Sequence, residues 1–113
     1  MVRLVTAVIK PHRLEAVVDA LQDTNVQGLT ASEVRGFGRQ GGHTETYRGT
    51  EYHVDFIPKV RVEILVDAAD TERVEDCLVE AARTEKIGDG KGWVTEVESV
   101  TRIRTGERGV DAL

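Results

Sequence analysis

The chain has 113 residues, among them 15 Lys and Arg, 20 Asp and Glu and 3 His, for a formal net charge of −5. This length predicts one domain that can bury a core without disulfide bonds, and the single cysteine, Cys77, excludes a disulfide framework and a multi-cysteine zinc site. The acidic balance and the few aromatic residues argue against a nucleic-acid binder. We expect no signal peptide and a cytoplasmic location.

The first half of the chain predicts a strand, a helix and a second strand. Val2–Ile9 is apolar and β-branched, which is typical of a buried strand. Pro11 opens a helix that we expect to end near Asn25 and Gly28, and Leu29–Phe37 predicts the next strand. The helix carries one apolar stripe, formed by Leu14, Val17, Val18 and Leu21.

The second half repeats this order. Lys59–Val66 alternates between apolar and polar residues, which predicts a strand with one buried face, and Asp70 predicts the N-cap of a second helix. Gly88–Lys91 predicts a turn, and Trp93–Val97 and Val100–Thr105 predict two more strands. The stripe of the second helix consists of Val74, Cys77, Leu78 and Ala81.

The two apolar stripes correspond at an offset of 60 residues, so the chain contains two β-α-β units joined by residues 38–58. This order predicts an α+β, ferredoxin-like split β-α-β fold, with one antiparallel sheet and both helices on one face. The other sheet face carries Lys59, Arg61, Glu63 and Leu65. Because it is uncovered and partly apolar, we expect it to become an oligomer interface.

The connection at residues 38–58 is rich in glycine and long for so small a domain, which is typical of a functional loop. Gly36–His43 holds four glycines whose backbone N–H groups can approach an anion, with Arg39 as a forked donor and Gln40 as an amide. A hairpin tip without a ligand explains this composition about equally well.

Two further patterns are compatible with phosphate. Gly88–Lys91 can offer backbone N–H groups and an ammonium, although a plain Asp-Gly turn is slightly favoured by the residues alone. Arg102 and Arg104, at i and i+2 of the last predicted strand, would share one sheet face and suit a polyphosphate. The alternative is a solvated strand face that Glu96 and Glu98 partly neutralise.

The sequence favours a binding protein over an enzyme. It contains no set of nucleophile, base and orienting residue, and Cys77 lies on an apolar helix stripe, where we expect a core residue. Tyr47 and Tyr52 occupy the polar loop, where they would either anchor a partner, accept a modifying group or be ordinary exposed residues.

Several motifs in order resemble the PII nitrogen-regulatory signal transduction family, and the resemblance covers essentially the whole chain, including Ile9-Lys10-Pro11. They are Gly-Phe-Gly-Arg-Gln-x-Gly-His-Thr-Glu (36–45), Tyr-Arg-Gly-x-Glu-Tyr (47–52), Val-Asp-Phe-x-Pro-Lys-Val (54–60), Ala-Arg-Thr-x-Lys-Ile-Gly-Asp-Gly-Lys (82–91) and Arg-Ile-Arg-Thr-Gly-Glu-Arg-Gly (102–109). The resemblance implies a homotrimer of single-domain subunits (1–113). It also implies a protruding T-loop at about 38–56, a B-loop at about 84–91 and a C-terminal segment at about 103–113.

The resemblance further implies that ATP or ADP binds in clefts between subunits, and that Mg-ATP is joined there by 2-oxoglutarate. The residues expected at the nucleotide are Thr30, Gly38, Arg39, Gln40, Glu63, Leu65, Gly88, Asp89, Gly90, Lys91, Arg102 and Arg104. Those expected at 2-oxoglutarate are Gly38, Gln40, Gly41, Gly42 and Lys59. Gln40 is also the expected protein ligand of Mg²⁺, and Tyr52 matches a tyrosine that is uridylylated or adenylylated in different lineages.

The implied function is a sensor of nitrogen, carbon and energy status with at most a weak ATPase side activity. Expected partners are an ammonium channel, a modifying nucleotidyltransferase, or a nitrogen-regulatory kinase or enzyme. The membrane would be reached only through the channel, and no nucleic acid is expected. The alternative is a PII-like trimer that senses another small ligand or a divalent metal and resembles the divalent-cation tolerance proteins. The Gly88–Lys91 turn and Tyr52 argue against it.

Three residues depart from the family pattern. Gly41 stands where lysine is common, Thr50 where alanine or serine is usual, and Gly92 where the family has a β-branched residue. We expect 2-oxoglutarate binding to survive at Gly41, because the family uses a backbone N–H there. Phosphorylation of Thr50 is a further hypothesis, and Gly92 is expected to weaken the start of its strand.

Overall fold

A four-stranded antiparallel sheet and two helices form the body of the protein in the computed structural model, which describes residues 1–38, 44–47, 50–53 and 56–113. The elements are β1 (Val2–Ile9), α1 (Leu14–Leu21), β2 (Thr30–Gly36), β3 (Thr44–Tyr47), β4 (Thr50–His53), β5 (Ile57–Asp67), α2 (Thr71–Ala82) and β6 (Lys91–Val97). The sheet order is β2-β5-β1-β6. This is the predicted ferredoxin-like split β-α-β arrangement.

The core lies between one face of the sheet and the two helices. Antiparallel pairing sets Val5 opposite both Ile64 on β5 and Val94 on β6, so their side chains share a face. Val17 of α1 and Val74 of α2 are fully buried against this face. The stripes at i, i+3 and i+4 therefore face the sheet as their spacing predicts. No described helix has the length and apolar character needed to cross a membrane.

The opposite sheet face carries no helix and keeps the residues that alternate with the core positions. Register places Glu63 between Thr30 and Thr6, with Trp93 on the far side of Thr6. The Arg61 guanidinium carbon lies 5.9 Å from the centroid of the Trp93 ring. Leu65 is 40 % exposed and Trp93 42 % exposed. The open, partly apolar face that the sequence predicts is therefore present in the single chain.

The segment predicted as an irregular connection contains a short hairpin. β3 and β4 pair antiparallel from Thr44 opposite His53 to Tyr47 opposite Thr50. Their residues are mostly polar, so no alternation of apolar and polar residues marks them as strands.

The helix boundaries differ from the predicted ones because side chains close the ends earlier. α1 ends at Leu21, and the Thr24 hydroxyl donates to the Leu21 carbonyl at 2.6 Å. Asp70 occupies the predicted N-cap position of α2, but its side chain makes no capping hydrogen bond. A 3-10 turn at Ala68–Asp70 precedes α2, and the Asp67 carboxylate caps that turn by accepting the Ala69 N–H at 3.1 Å.

The predicted strand Val100–Thr105 is wrong. This segment forms one isolated bridge, between Thr101 and Arg108, and then a turn. The Gly106 N–H donates to the Arg102 carbonyl at 2.8 Å, and Gly106 has a φ of +75°. The glycine folds the chain back on itself, since a left-handed backbone is cheap there. Arg102 and Arg104 consequently do not share a sheet face.

Candidate functional site

The Asp89 carboxylate closes the turn that follows α2. Its Oδ2 accepts the backbone N–H groups of Thr84 at 2.8 Å and Glu85 at 2.9 Å, and its Oδ1 accepts the Thr84 hydroxyl. The Lys10 ammonium lies 3.1 Å from Oδ1 and donates to the Thr84 hydroxyl at 3.1 Å. Both carboxylate oxygens are therefore already bonded to groups of the protein. Direct contacts of the turn with an anion would fall to its backbone and to Lys91.

The contacts of Asp89 make an acid-dependent contribution to stability. The pKa of the Asp89 carboxyl lies well below its usual range, mainly because the Thr84 hydroxyl donates a hydrogen bond to the carboxylate, while burial raises this pKa. The Thr84 N–H, Lys10 and the Glu85 N–H lower that pKa further. Because the pKa is lower in the folded protein, the stabilisation is complete above the unfolded value of about 4. It is lost as the pH falls below about 4 towards the folded value.

Asp89→Asn is expected to lower the free energy of unfolding at pH 6, and this deficit is expected to become smaller as the pH falls from 4 to 3, where only part of the stabilisation has been lost. Urea unfolding followed by the fluorescence of Trp93, at fixed protein concentration, measures the difference at each pH. Asp76→Asn removes one exposed carboxylate from α2 and is the matched control for net charge. An Asp89→Asn deficit of the same size at both pH values would contradict the assignment.

Glycines let the same turn lie directly on the sheet. Gly88 and Gly90 have φ values of +96° and +100°, which other residues rarely adopt. A Cβ on Gly90 would lie 1.7 Å from the Val8 carbonyl oxygen. The backbone at Gly90 therefore lies so close to β1 that no side chain larger than hydrogen fits between them.

Lys59 joins the base of the long loop to this turn. Its side chain is only 5 % exposed, and its ammonium donates to the Gly88 carbonyl. Burial is the main cause that lowers the pKa of Lys59, with the Lys10 charge second, while Asp89 acts in the opposite direction. At Gly36, which ends β2, a Cβ would lie 3.5 Å from Lys59 Cγ. The predicted carboxylate-binding lysine and the predicted phosphate-binding turn are thus in contact.

Thr30, Glu63 and Leu65, the residues predicted for the adenine and ribose region, line one surface cavity. Its volume is about 480 Å³, and the remaining lining residues are Leu4, Gly28 and Leu29. The cavity opens on the sheet face that carries no helix, because Thr30 and Glu63 are cross-strand neighbours there. The structure therefore brings these three residues together.

Arg102 lies at the opposite end of β5 from Lys59. Its guanidinium pairs with Glu107 at 3.1 Å and donates to the carbonyls of Ala112, at 3.3 Å, and Leu113. Leu113 lines a cavity together with Leu65, Val66 and Asp67. Leu65 is about 20 Å along the strand from Lys59 at the usual rise per residue. A single chain therefore does not bring Arg102 to the turn, and Arg104 is exposed nearby.

The remaining predicted site residues lie at or beyond the limits of the described chain. Gly38 is described and follows Phe37, whose ring centroid is 6.3 Å from that of Phe56 at the other end of the loop. Arg39, Gln40, Gly41 and Gly42 lie outside the described residues. Thr50 and Tyr52 belong to β4, for which only the backbone is described.

Three polar residues of the site were missed in the sequence. Lys10 and Thr84 hold the Asp89 carboxylate, and Glu107 pairs with Arg102. Lys10 and Thr84 lie within family motifs, but no spacing rule pairs residues so far apart in the chain. Cys77, by contrast, is placed as predicted, since it packs against the core and burial is the main cause that raises the pKa of its thiol. In the described part of the chain, no group of three or more His, Cys, Asp or Glu is arranged to hold a metal ion.

Comparison with known proteins identifies the family. The family model described as "Nitrogen regulatory protein P-II" matches residues 2–107. The chain belongs to this family. The nitrogen regulatory protein P-II of Azospirillum brasilense is 51 % identical over 109 residues, covering 96 % of this chain and 97 % of that protein. The Rhodobacter capsulatus protein of the same description is 54 % identical with the same coverage.

A solved P-II structure agrees with the fold as well. The crystal structure of Arabidopsis thaliana PII bound to citrate matches with a TM-score of 0.82 and 38 % identity, covering 99 % of this chain and 92 % of that one. Membership of the P-II family confirms the predicted ferredoxin-like fold and the predicted role in nitrogen-regulatory signal transduction. It also confirms that the chain is a regulator and not an enzyme.

Proposed function

We propose that this P-II chain acts as a homotrimer that binds ATP or ADP in the clefts between subunits. With Mg-ATP bound, each cleft also takes 2-oxoglutarate. The effectors stabilise different conformations of the T-loop (38–56), and partner proteins read that loop. A ligand shifts such an equilibrium by its differential affinity for the two conformations, so the loop reports the ratio of effectors.

The contact between Lys59 and the Gly88 carbonyl carries this proposal. A dicarboxylate bound at the buried Lys59 ammonium would lie beside a turn suited to phosphate, next to the base of the loop. Both ligands are anions, and a mostly buried ammonium favours a charge-assisted hydrogen bond. Binding of one ligand can therefore change the affinity for the other, because the two ligands contact residues that contact each other.

The position of Arg102 supports a cleft shared by two subunits. Within one chain, Arg102 and Arg104 lie near the far end of β5 from the turn. They can add charge at the phosphates only if they meet the turn of a neighbouring copy. The open sheet face, with Leu65 and Trp93 exposed, offers a partly apolar surface for that assembly. The family resemblance and this geometry favour the same trimer.

Gln40 is the proposed protein ligand of Mg²⁺, with the ATP phosphates completing the site. Its amide supplies a hard oxygen donor, the type that Mg²⁺ prefers. Bound Mg²⁺ would neutralise part of the phosphate charge. Gly38, Gly41 and Gly42 would offer backbone N–H groups to 2-oxoglutarate. The Arabidopsis relative was crystallised with citrate, which is a polycarboxylate.

Tyr52 is the proposed site of nucleotidylylation, which would add charge and bulk to the T-loop. Proposed partners are an ammonium channel, a modifying nucleotidyltransferase, or a nitrogen-regulatory kinase or enzyme. Affinity capture from ammonium-shocked cells tests this, once with ATP plus 2-oxoglutarate and once with ADP. We expect different proteins to be captured under the two conditions.

Calorimetric titration tests effector binding directly. ATP is titrated alone, with Mg²⁺, and with Mg²⁺ plus 2-oxoglutarate, and we expect 2-oxoglutarate to bind only when Mg-ATP is present. No ATP binding at millimolar concentration would overturn the proposal.

Lys91→Ala and Arg104→Ala are each expected to weaken ATP binding by about 1–3 kcal/mol, since each removes a charged hydrogen bond to phosphate. Calorimetry with Mg-ATP measures the loss. Arg73→Ala is the matched control, because Arg73 is exposed on α2, which packs against the other face of the sheet. If both site variants matched this control, the roles assigned to Lys91 and Arg104 would be wrong.

A further inference from the structure

We propose that Lys10 is a positioning residue for the phosphate-binding turn and acts through Asp89 and Thr84. The proposal rests on phosphate binding by this turn, as set out above. Lys10 lies outside the turn and outside every predicted ligand contact. Its ammonium nevertheless lies within 3.1 Å of both Asp89 Oδ1 and Thr84 Oγ1, so it joins the two side chains that hold the turn together.

The backbone of Lys10 is well placed for this role. Lys10 follows the last residue of β1, and its own extended conformation leads into a 3-10 turn that Pro11 opens. The Lys10 carbonyl accepts the Arg13 N–H at 3.0 Å. The residue is therefore fixed on one side by the sheet and on the other by a helical turn. Its side chain therefore links the turn to the end of β1 and fixes the distance between them.

The hydrogen bonds of Asp89 show what Lys10 would set. One carboxylate collects the Thr84 N–H, the Thr84 hydroxyl, the Glu85 N–H and the Lys10 ammonium. Lys10 is the one of these donors that comes from outside the turn. Without it, the carboxylate would still bond to its own loop but would not be attached to the sheet. The turn would then keep its local shape, but its orientation relative to the sheet would be less well fixed.

The local charges agree with a positioning role. Lys59 is buried and lies close enough to the partly exposed Lys10 and Asp89 to interact with both charges, so the two ammonium groups leave one positive charge in excess. The Lys10 ammonium contacts Asp89 and Thr84, while the Lys59 ammonium donates a hydrogen bond to the Gly88 carbonyl. The excess charge favours an anion at the turn. The Asp89 carboxylate keeps the two ammonium groups together despite their repulsion.

Lys10→Met tests the proposal, because methionine keeps most of the length of the side chain and removes the ammonium. ATP affinity is expected to fall about tenfold, equivalent to about 1.4 kcal/mol. Adenosine, which lacks phosphates, should bind as it does to the wild type. The amide hydrogens of Thr84 and Glu85 should exchange faster even without nucleotide. Arg83→Met is the control, since it removes an exposed cation just before the turn.

A double-mutant cycle with Asp89→Asn separates positioning from simple attraction between charges. If Lys10 acts through Asp89, Lys10→Met should weaken ATP binding much less in the Asp89→Asn background than in the wild type. Equal losses in both backgrounds, or a loss equal to that of Arg83→Met, would overturn the inference. Thr84→Val against Thr84→Ser provides a second route if Lys10→Met does not fold. The hydroxyl-bearing variant is expected to retain the tighter ATP binding.

The two proposals fail differently. If the wild-type protein bound no ATP, phosphate binding by the turn would be refuted. Amide exchange at Thr84 and Glu85 would still report whether Lys10 positions the turn. If the wild type bound ATP and Lys10→Met left both ATP affinity and amide exchange unchanged, only the positioning role would be refuted.

Discussion

Gly90→Ala is expected to lower the free energy of unfolding by about 3–5 kcal/mol, combining backbone strain with overpacking. A methyl group at this position would lie 1.7 Å from the Val8 carbonyl oxygen, and Gly90 has a φ of +100°. Val8 cannot move aside easily, because β1 is the strand between β5 and β6. The turn would have to lift off the sheet, which would also weaken nucleotide binding.

Two other glycines serve as graded controls for this variant. Gly106 has a φ of +75° with nothing within 4 Å of an added Cβ, so Gly106→Ala measures backbone strain alone. Gly28→Ala should cause neither strain nor a clash, because nothing lies within 4 Å of an added Cβ there and the φ of Gly28 is not in the left-handed region. Urea unfolding by Trp93 fluorescence, at one protein concentration, should order the losses Gly90 above Gly106 above Gly28. A loss at Gly90 no larger than at Gly106 would show that the close approach to Val8 is not maintained in solution.

Ile64→Ala is expected to lower the free energy of unfolding by about 3–4 kcal/mol. Ile64 has no exposed area and lies in the middle of β5, opposite Val5. Its side chain belongs to the cluster that joins the sheet to Val17 and Val74 on the two helices. Truncation removes buried apolar contacts and leaves a cavity that strands hydrogen-bonded to their neighbours cannot easily close.

The same unfolding measurement with smaller truncations tests the origin of this loss. Ile64→Val should cost only about 0.5–1.5 kcal/mol, because it removes one methyl group. Val79→Ala on α2 should cost less than Ile64→Ala, since Val79 is 56 % exposed. An Ile64→Ala loss no greater than that of Val79→Ala would contradict the core assignment.

Where a segment has a strong apolar period, its structure follows from the sequence. β1 begins and ends where Val2–Ile9 predicts, and the stripes of α1 and α2 face the sheet. The alternation in Lys59–Val66 correctly separates the core face of β5 from its open face. These predictions hold because the pattern of burial depends on the period of the local backbone alone.

Errors occur where a local propensity competes with side-chain bonds or a special backbone conformation. Val100–Thr105 has the composition of a strand, but Gly106 turns the chain back before a strand can pair. Asp70 occupies the N-cap position of α2 as predicted, but its side chain makes no capping hydrogen bond, and the Asp67 carboxylate caps the 3-10 turn that comes before the helix. The β3–β4 hairpin has no apolar period and was not predicted.

The sequence by itself determined the core pattern, the α+β architecture and a turn composed of glycine, aspartate and lysine. Only the tertiary structure decided that Asp89 faces inward to Lys10 and Thr84, that Lys59 is buried against Gly88, and that Arg102 lies away from the turn. The physical reason is the range of the interactions. Burial follows a short period along the chain, whereas each of the contacts of Lys10 and Lys59 joins residues brought together only by the register of the sheet and the path of α2.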